Sequence, residues 1–369
     1  MKYVRMPIEI ESPESIGYDM IACNLAESSV RDIVFSEMGI RLDELVIAYG
    51  DHLGKPALRE LIASPHENIR TQDILLTVGA AGALFIIQSS LLAAGDHMIV
   101  VRPNYATNIE TPRAIGCAIS YIDLLFEEKY KLDPDKIEKN IQSNTKIISI
   151  TIPHNPTGVS MDADEMPRLC RLAEKNNCFL LVDETYRDLS FKKPAALAAS
   201  LSKKAISVSS VSKAYGIPGI RLGWIITQDS SLQYLFLAAK EQIHICNSVV
   251  DEEICYQYLT KKEIYFDPIK KTVSNNFNSL KTWMDKHVYL EWVEPAGGVV
   301  CFPRFKNEIN IDIEKFYRIL LDEYKTYIGP GHWFEQSKRH FRLGFGWENE
   351  SNFKTGLYNI DKTIESCRV

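Results

Sequence analysis

The chain has 369 residues, 46% of them hydrophobic and 24% charged, with 19 Gly and 16 Pro, a usage that excludes a disordered, collagenous or low-complexity polypeptide. At roughly 150 residues per domain, the length suggests two domains. With 42 basic against 48 acidic side chains the formal charge is −6; this offers no broad basic surface to nucleic acid or an anionic membrane, and a small-molecule partner is expected.

The N-terminus reaches Glu9 and Glu11 before any apolar run forms, which does not read as a secretory leader and makes cytoplasm the expectation. The most apolar stretch, 74–94, contains Thr77, Gly79, Gly82, Gln88, Ser89 and Ser90, so it reads as a buried strand, a tight turn and a core helix rather than a membrane span. From there strand patterns at 74–77, 98–101, 119–122, 146–152, 179–182, 205–209 and 222–227 alternate with helical ones at 81–93, 133–140, 164–177 and all or part of 229–258. Such switching is the mark of an α/β fold with a parallel sheet and crossover helices. After it come a helix at 273–286, β-like runs at 289–293 and 299–302, a helix at 312–323 and a β-like run at 341–345. This mixed pattern predicts a large domain over 41–270 and a smaller, discontinuous one made of 1–40 with 271–369. The eight cysteines are scattered without a C-x-x-C pair, as reduced and mostly buried thiols. The eight histidines have no H-E-x-x-H or paired ligand spacing, so no metal is expected.

In an open parallel sheet, ligands sit outside the carboxyl ends of the strands, and four such ends here are chemically loaded. After 74–77 come Gly79, Ala80 and Ala81 at a helix start, where free amides and the helix dipole suit a phosphate; close strand–helix packing would ask for the same small residues. After 146–152 comes His154-Asn155-Pro156-Thr157-Gly158, in which Asn155 presents an amide or simply serves the turn. Asp183 follows an apolar strand, where a carboxylate needs a cationic or hydrogen-bonding partner unless it caps a helix. Lys213, among Ser210 and Ser212 and followed by Arg221, sits where desolvation would lower its pKa and suit it to attack a carbonyl.

The ordered set HNPTG (154–158), VDETY (182–186) and SVSSVSKAYGIPGIRLGW (207–224) resembles the class I/II aminotransferases, fold-type I enzymes that depend on pyridoxal 5′-phosphate (PLP). The likeness runs from Tyr49-Gly50 to Phe341-Arg342-Leu343-Gly344. It implies a mostly parallel seven-stranded sheet between helices, with a smaller α+β domain. It also implies that Lys213 is the Schiff-base lysine and that Asp183 partners the pyridine nitrogen. Asn155 and Tyr186 would bond the ring 3′-oxygen, and Tyr105 would stack on the ring. The amides around Gly79, Ala80 and Ala81 with Ser210, Ser212 and Arg221 would hold the phosphate, and Arg342 would clamp the substrate α-carboxylate. Tyr49 would reach the phosphate of a neighbouring subunit, so that a homodimer is implied.

The segment 24–30 departs from the family's usual turn. Its Glu27 either faces a cationic substrate side chain or is a solvated helix-start acid, and the run loosely resembles a branch that includes capreomycidine synthase-like and arginine-oxidising PLP enzymes. The resemblance implies an aminotransferase working between an amino acid and a 2-keto acid. A PLP-dependent lyase, cyclase or oxidase acting on an amino acid such as arginine is the alternative. A transcriptional regulator borrowing this fold would carry a basic helix-turn-helix before Tyr49, and residues 1–48 lack the helices and basic clustering for one.

Overall fold

A computed structural model describes residues 1–368. The apolar runs after residue 74 form seven strands: β1 (Ile74–Val78), β2 (His97–Arg102), β3 (Ala118–Asp123), β4 (Thr145–Thr151), β5 (Phe179–Asp183), β6 (Ala205–Ser210) and β7 (Leu222–Ile226). They make one sheet in the order β1-β7-β6-β5-β4-β2-β3. Why these runs are continuous rather than alternating is visible in the packing. Ile99, Val101, Ile148, Ile150, Leu180 and Val182 bury one face of the sheet, while Met98, Val100, Ile147, Leu181, Ile206 and Val208 bury the other. Successive side chains point to opposite faces, so a strand covered on both sides must be apolar at every position.

One strand runs backwards. β7 is antiparallel to both β1 and β6, whereas β6-β5-β4-β2-β3 are parallel. Its amino end, which begins just after Arg221, therefore lies at the same sheet edge as the carboxyl ends of β1, β4, β5 and β6. That edge gathers residues that are far apart in sequence.

The N-terminal forty residues do not stand alone. Cys23–Asn24 pairs in parallel with Thr326–Tyr327, and the Gly344 amide donates to the Leu25 carbonyl at 2.7 Å. On the other side, Val30 N–H donates to the carbonyl of Lys213 at 3.0 Å and Ile33 N–H to that of Gly216 at 2.9 Å. The segment is thus a strap bonded to the C-terminal strands and to the loop after β6.

Several elements differ from the sequence reading. The 229–258 helix is two helices, Ser230–His244 and Val249–Thr260, separated where Ile245 takes φ +56° and Ser248 Oγ caps the second. A helix Lys262–Asp285 starts well before residue 273 and carries Pro268 inside it; residue 270 lies within it. Thr107–Ile115 and Glu350–Cys367 are further helices that the pattern did not announce.

Gly344 has no room for a side chain, because a Cβ there would run into the carbonyl of Glu27. Gly344→Ala is therefore expected to cost about 1–3 kcal/mol through overpacking, read as a lower denaturant midpoint, and to loosen the strap so that proteolysis cuts first within residues 24–30.

Candidate active site

The site begins with an unguarded helix start. Gly79 opens the helix Gly79–Leu91 at φ +67°, and no side chain caps its first amides, so those N–H groups and the dipole are left for an anion. Two glycines keep the place open. A Cβ on Gly79 would lie 2.8 Å from Arg221 Nη2, and one on Gly223 would lie 2.5 Å from Gly79 C and 2.7 Å from Ala80 N. Arg221 itself sits at φ +48°, with Nη1 donating to Pro218 O at 2.9 Å and to Ser212 Oγ at 3.5 Å. Ala80, Ala81, Ser210, Ser212 and Arg221 line one end of a cavity of about 430 Å³; Gly79 is buried behind them.

Deeper in, Asp183 ends β5. Its Oδ1 accepts from Thr185 N–H at 3.1 Å and Thr185 Oγ1 at 2.6 Å, while Oδ2 takes no protein hydrogen bond among the described residues. Burial pushes the Asp183 carboxyl above the usual carboxylate range, opposed by the Thr185 bonds and by Lys213. Burial also pushes the Lys213 amine down; Glu27 opposes that and Arg342 adds to it. Tyr186 hydroxyl donates to Ser28 O at 2.7 Å and is raised to about 12, chiefly by burial. Tyr105 is placed by Asn104, whose Oδ1 accepts the Tyr105 amide at 2.8 Å and Thr151 Oγ1 at 3.1 Å.

Arg342 closes the far end. It is 4% exposed, with Nη1 donating to Asn155 Oδ1 at 3.2 Å and Nη2 to Ala26 O at 2.7 Å, and its Nε is buried without a partner. A buried cationic donor left open in this way is a site for an anionic group.

Lys213, Asp183, Tyr186, Tyr105, Asn155, Ala80, Ala81, Ser210, Ser212, Arg221, Arg342 and Glu27 thus surround one cavity. Tyr49 does not join them: it is 84% exposed. The sequence reading missed the strap's contribution, in which Glu9, Glu14, Tyr18, Ser28 and Asp32 line the same cavity together with Trp333. The one signal available was Glu27 in the departing turn. Among the described residues no group of His, Cys, Asp and Glu could hold a metal, and no helix is long and apolar enough to cross a membrane.

The family model "Aminotransferase class I and II" matches residues 29–353. The chain belongs to that family. Among curated relatives, the HTH-type transcriptional regulator NorG of Staphylococcus aureus is 25% identical over 88% of this chain and 74% of its own length. Capreomycidine synthase of Streptomyces vinaceus is also 25% identical, over 89% of this chain and 86% of the relative. A PLP-dependent aminotransferase from Streptococcus suis superposes with a TM-score of 0.92 at 25% identity, covering 100% of both chains.

PLP is the family's cofactor, and the residues fit it. The open helix start with Arg221 suits a phosphate, the free Oδ2 of Asp183 suits a protonated ring nitrogen, and the desolvated Lys213 amine suits an aldehyde.

Two outcomes follow from the charges. The folded-state pKa of Asp183 lies above its unfolded value, so ionising it costs the apoprotein stability once pH rises past the unfolded carboxylate range. Apo Asp183→Asn is thus expected to be more stable than wild type at neutral pH by about 0.5–2 kcal/mol in denaturant unfolding, while binding PLP more weakly. For Lys213 the shift runs the other way: its neutral amine is populated at lower pH than on an ordinary lysine. Limiting PLP trapped by borohydride near neutral pH should therefore label Lys213 first by peptide mass spectrometry.

Proposed function

We propose that this chain is an aminotransferase that moves an amino group between an amino acid and a 2-keto acid. The observation that supports it is the convergence of Lys213, Asp183, Arg221 and Arg342 on one cavity. Bound PLP supplies an electron sink for the bond broken at the substrate Cα. Lys213 holds the cofactor covalently and then carries the proton to and from Cα, a task for which a depressed pKa is suited. Asp183 keeps its charge toward the ring nitrogen, with Thr185 fixing its other oxygen. Tyr105 stacks on the ring. Asn155 and Tyr186 would hold the ring 3′-oxygen, Tyr186 by turning toward it the hydroxyl it now donates to Ser28 O. The amides of Gly79, Ala80 and Ala81 with Ser210, Ser212 and Arg221 would bind the phosphate, Arg342 would take the substrate α-carboxylate, and Glu27 faces the substrate side chain.

The active unit in this reading is a homodimer in the cytoplasm. Val46, Ile47 and Tyr49 are 76%, 74% and 84% exposed, an apolar run with no cover in one chain, and a second copy would bring Tyr49 to the neighbouring phosphate. Residues 41–270 form its large domain and 1–40 with 271–369 its small one, the helix Lys262–Asp285 straddling the division. The second reading, a PLP-dependent lyase, cyclase or oxidase on an amino acid such as arginine, is supported by the similarity to capreomycidine synthase.

The deciding experiment gives the holoenzyme an amino acid with and without a keto acid. Transamination predicts one new keto acid per new amino acid formed. Ammonia release, cyclised product or oxygen uptake without a keto acid would sink it. Arg342→Ala is expected to lose about 2–5 kcal/mol of transition-state binding, since it removes a buried charge from the substrate carboxylate, measured as kcat/KM. Lys213→Ala should abolish turnover.

A further inference from the structure

The charged side chains lining the cavity do not balance. Its cations are Lys213, Arg221 and Arg342; its acids are Asp183 and, on the strap side, Glu9, Glu14, Glu27 and Asp32. In the reading above the three cations and Asp183 are spoken for, by the aldehyde, phosphate, carboxylate and ring nitrogen. Four carboxylates are left over.

None of the four is ion-paired to a Lys, Arg or His among the described residues. The hydrogen bonds they receive from side chains come from neutral donors at long range: Tyr105 OH to Glu9 Oε1 at 3.5 Å, Tyr18 OH to Glu27 Oε1 at 3.1 Å and Trp347 Nε1 to Asp32 Oδ2 at 3.4 Å. Glu11, on the same segment, shows the contrast: it is paired with His332 at 2.8 Å. Burial raises the Asp32 carboxyl, opposed by the Trp347 hydrogen bond and by Lys213, with Glu14 adding to the rise, and burial raises the Tyr18 hydroxyl, with Glu27, Glu14 and Asp32 adding. A second, independent observation is Arg342, a 4% exposed guanidinium that lines the same cavity and pairs with no carboxylate among the described residues.

We propose that the substrate is an α-amino acid whose side chain ends in a cation, an ammonium or a guanidinium, with its α-carboxylate on Arg342 and its far end on Glu9, Glu14, Glu27 and Asp32. The proposal rests on the reading of this cavity as the PLP and substrate site. Tyr18, which lines the cavity, adds an aromatic face: its ring stacks on Trp347 with centroids 6.1 Å apart and planes 11° from parallel, a surface on which an ammonium or guanidinium is favoured. Glu9 and Glu27 are half-buried while Glu14 and Asp32 are exposed, so a cationic side chain gains charge pairing that a neutral one lacks, and an acidic one meets repulsion.

The test uses the holoenzyme and pairs of amino acids matched in shape: L-ornithine against L-norleucine, and L-arginine against L-citrulline. Dissociation constants come from the change in absorbance of the bound cofactor, and kcat/KM is measured beside them. The cationic member of each pair is expected to bind at least about tenfold tighter, as one charge-assisted hydrogen bond supplies, and the ratio should shrink with added salt. Glu27→Gln and Asp32→Asn should each lower that ratio several-fold. The cofactor band itself reports that these variants are folded and loaded. Equal affinities within both pairs, or a ratio indifferent to both substitutions, would overturn the proposal while the cofactor reading stands. Absence of a cofactor band in wild type would overturn the cofactor reading and this proposal with it.

Discussion

Arg342 is a buried guanidinium with no carboxylate partner among the described residues, and much of the structure answers to that fact. Removing a charge from water costs several kcal/mol unless it is well bonded. Here the bonds come from an amide side chain and a backbone carbonyl, Asn155 Oδ1 and Ala26 O, while Trp333 and Phe334 stand 5.7 and 5.2 Å from the guanidinium carbon. One side chain therefore joins the strand Phe341–Gly344, the turn after β4 and the N-terminal strap. Neutral acceptors satisfy its geometry without cancelling its charge, which stays available to a ligand.

The strap follows from the same constraint. Its backbone serves each side of the cavity in turn: Leu25 O receives Gly344 N–H, Ala26 O receives Arg342, Ser28 O receives Tyr186, and Val30 N–H reaches the carbonyl of Lys213. With its main chain occupied in this way, the segment is held across the mouth of the sheet edge, and the side chains between those bonds are presented to the cavity. An element with little regular structure is thereby as well positioned as a strand.

This explains what was legible in the sequence. β1 to β7 were, because a strand covered on both faces is apolar at every position, and the residues at their carboxyl ends were, because motif order matched a known arrangement. The break at Ile245 was not, since apolar residues lie on either side of it and the Ser248 cap is the one sequence mark beside a positive φ. Nor was the early start of Lys262–Asp285, where Pro268 mimics a helix boundary. The strap's part in the site was the least legible. Carbonyl oxygens carry no sequence signature, and Glu9, Glu14 and Asp32 are brought to the cavity with Glu27 by long-range pairings of the strap, such as Cys23 with Thr326 and Val30 with Lys213.

On the proposed substrate reading, the strap would also link substrate charge to the proton chemistry of the lysine. Burial drives Lys213 toward its neutral form, and Glu27 is the largest opposing influence, with Glu14 and Glu9 behind it. A cation seated on Glu27 cancels that opposition, because a neutralised carboxylate no longer favours the ammonium. Arg342 pulls in the same direction as burial, yet a bound α-carboxylate screens it. The two ends of a cationic amino acid thus act on Lys213 with opposite sign, one freeing the amine as a base and the other restoring its affinity for a proton. A neutral amino acid supplies only the second effect. Side-chain charge would then set how readily Lys213 takes the Cα proton, as well as how tightly the substrate is held.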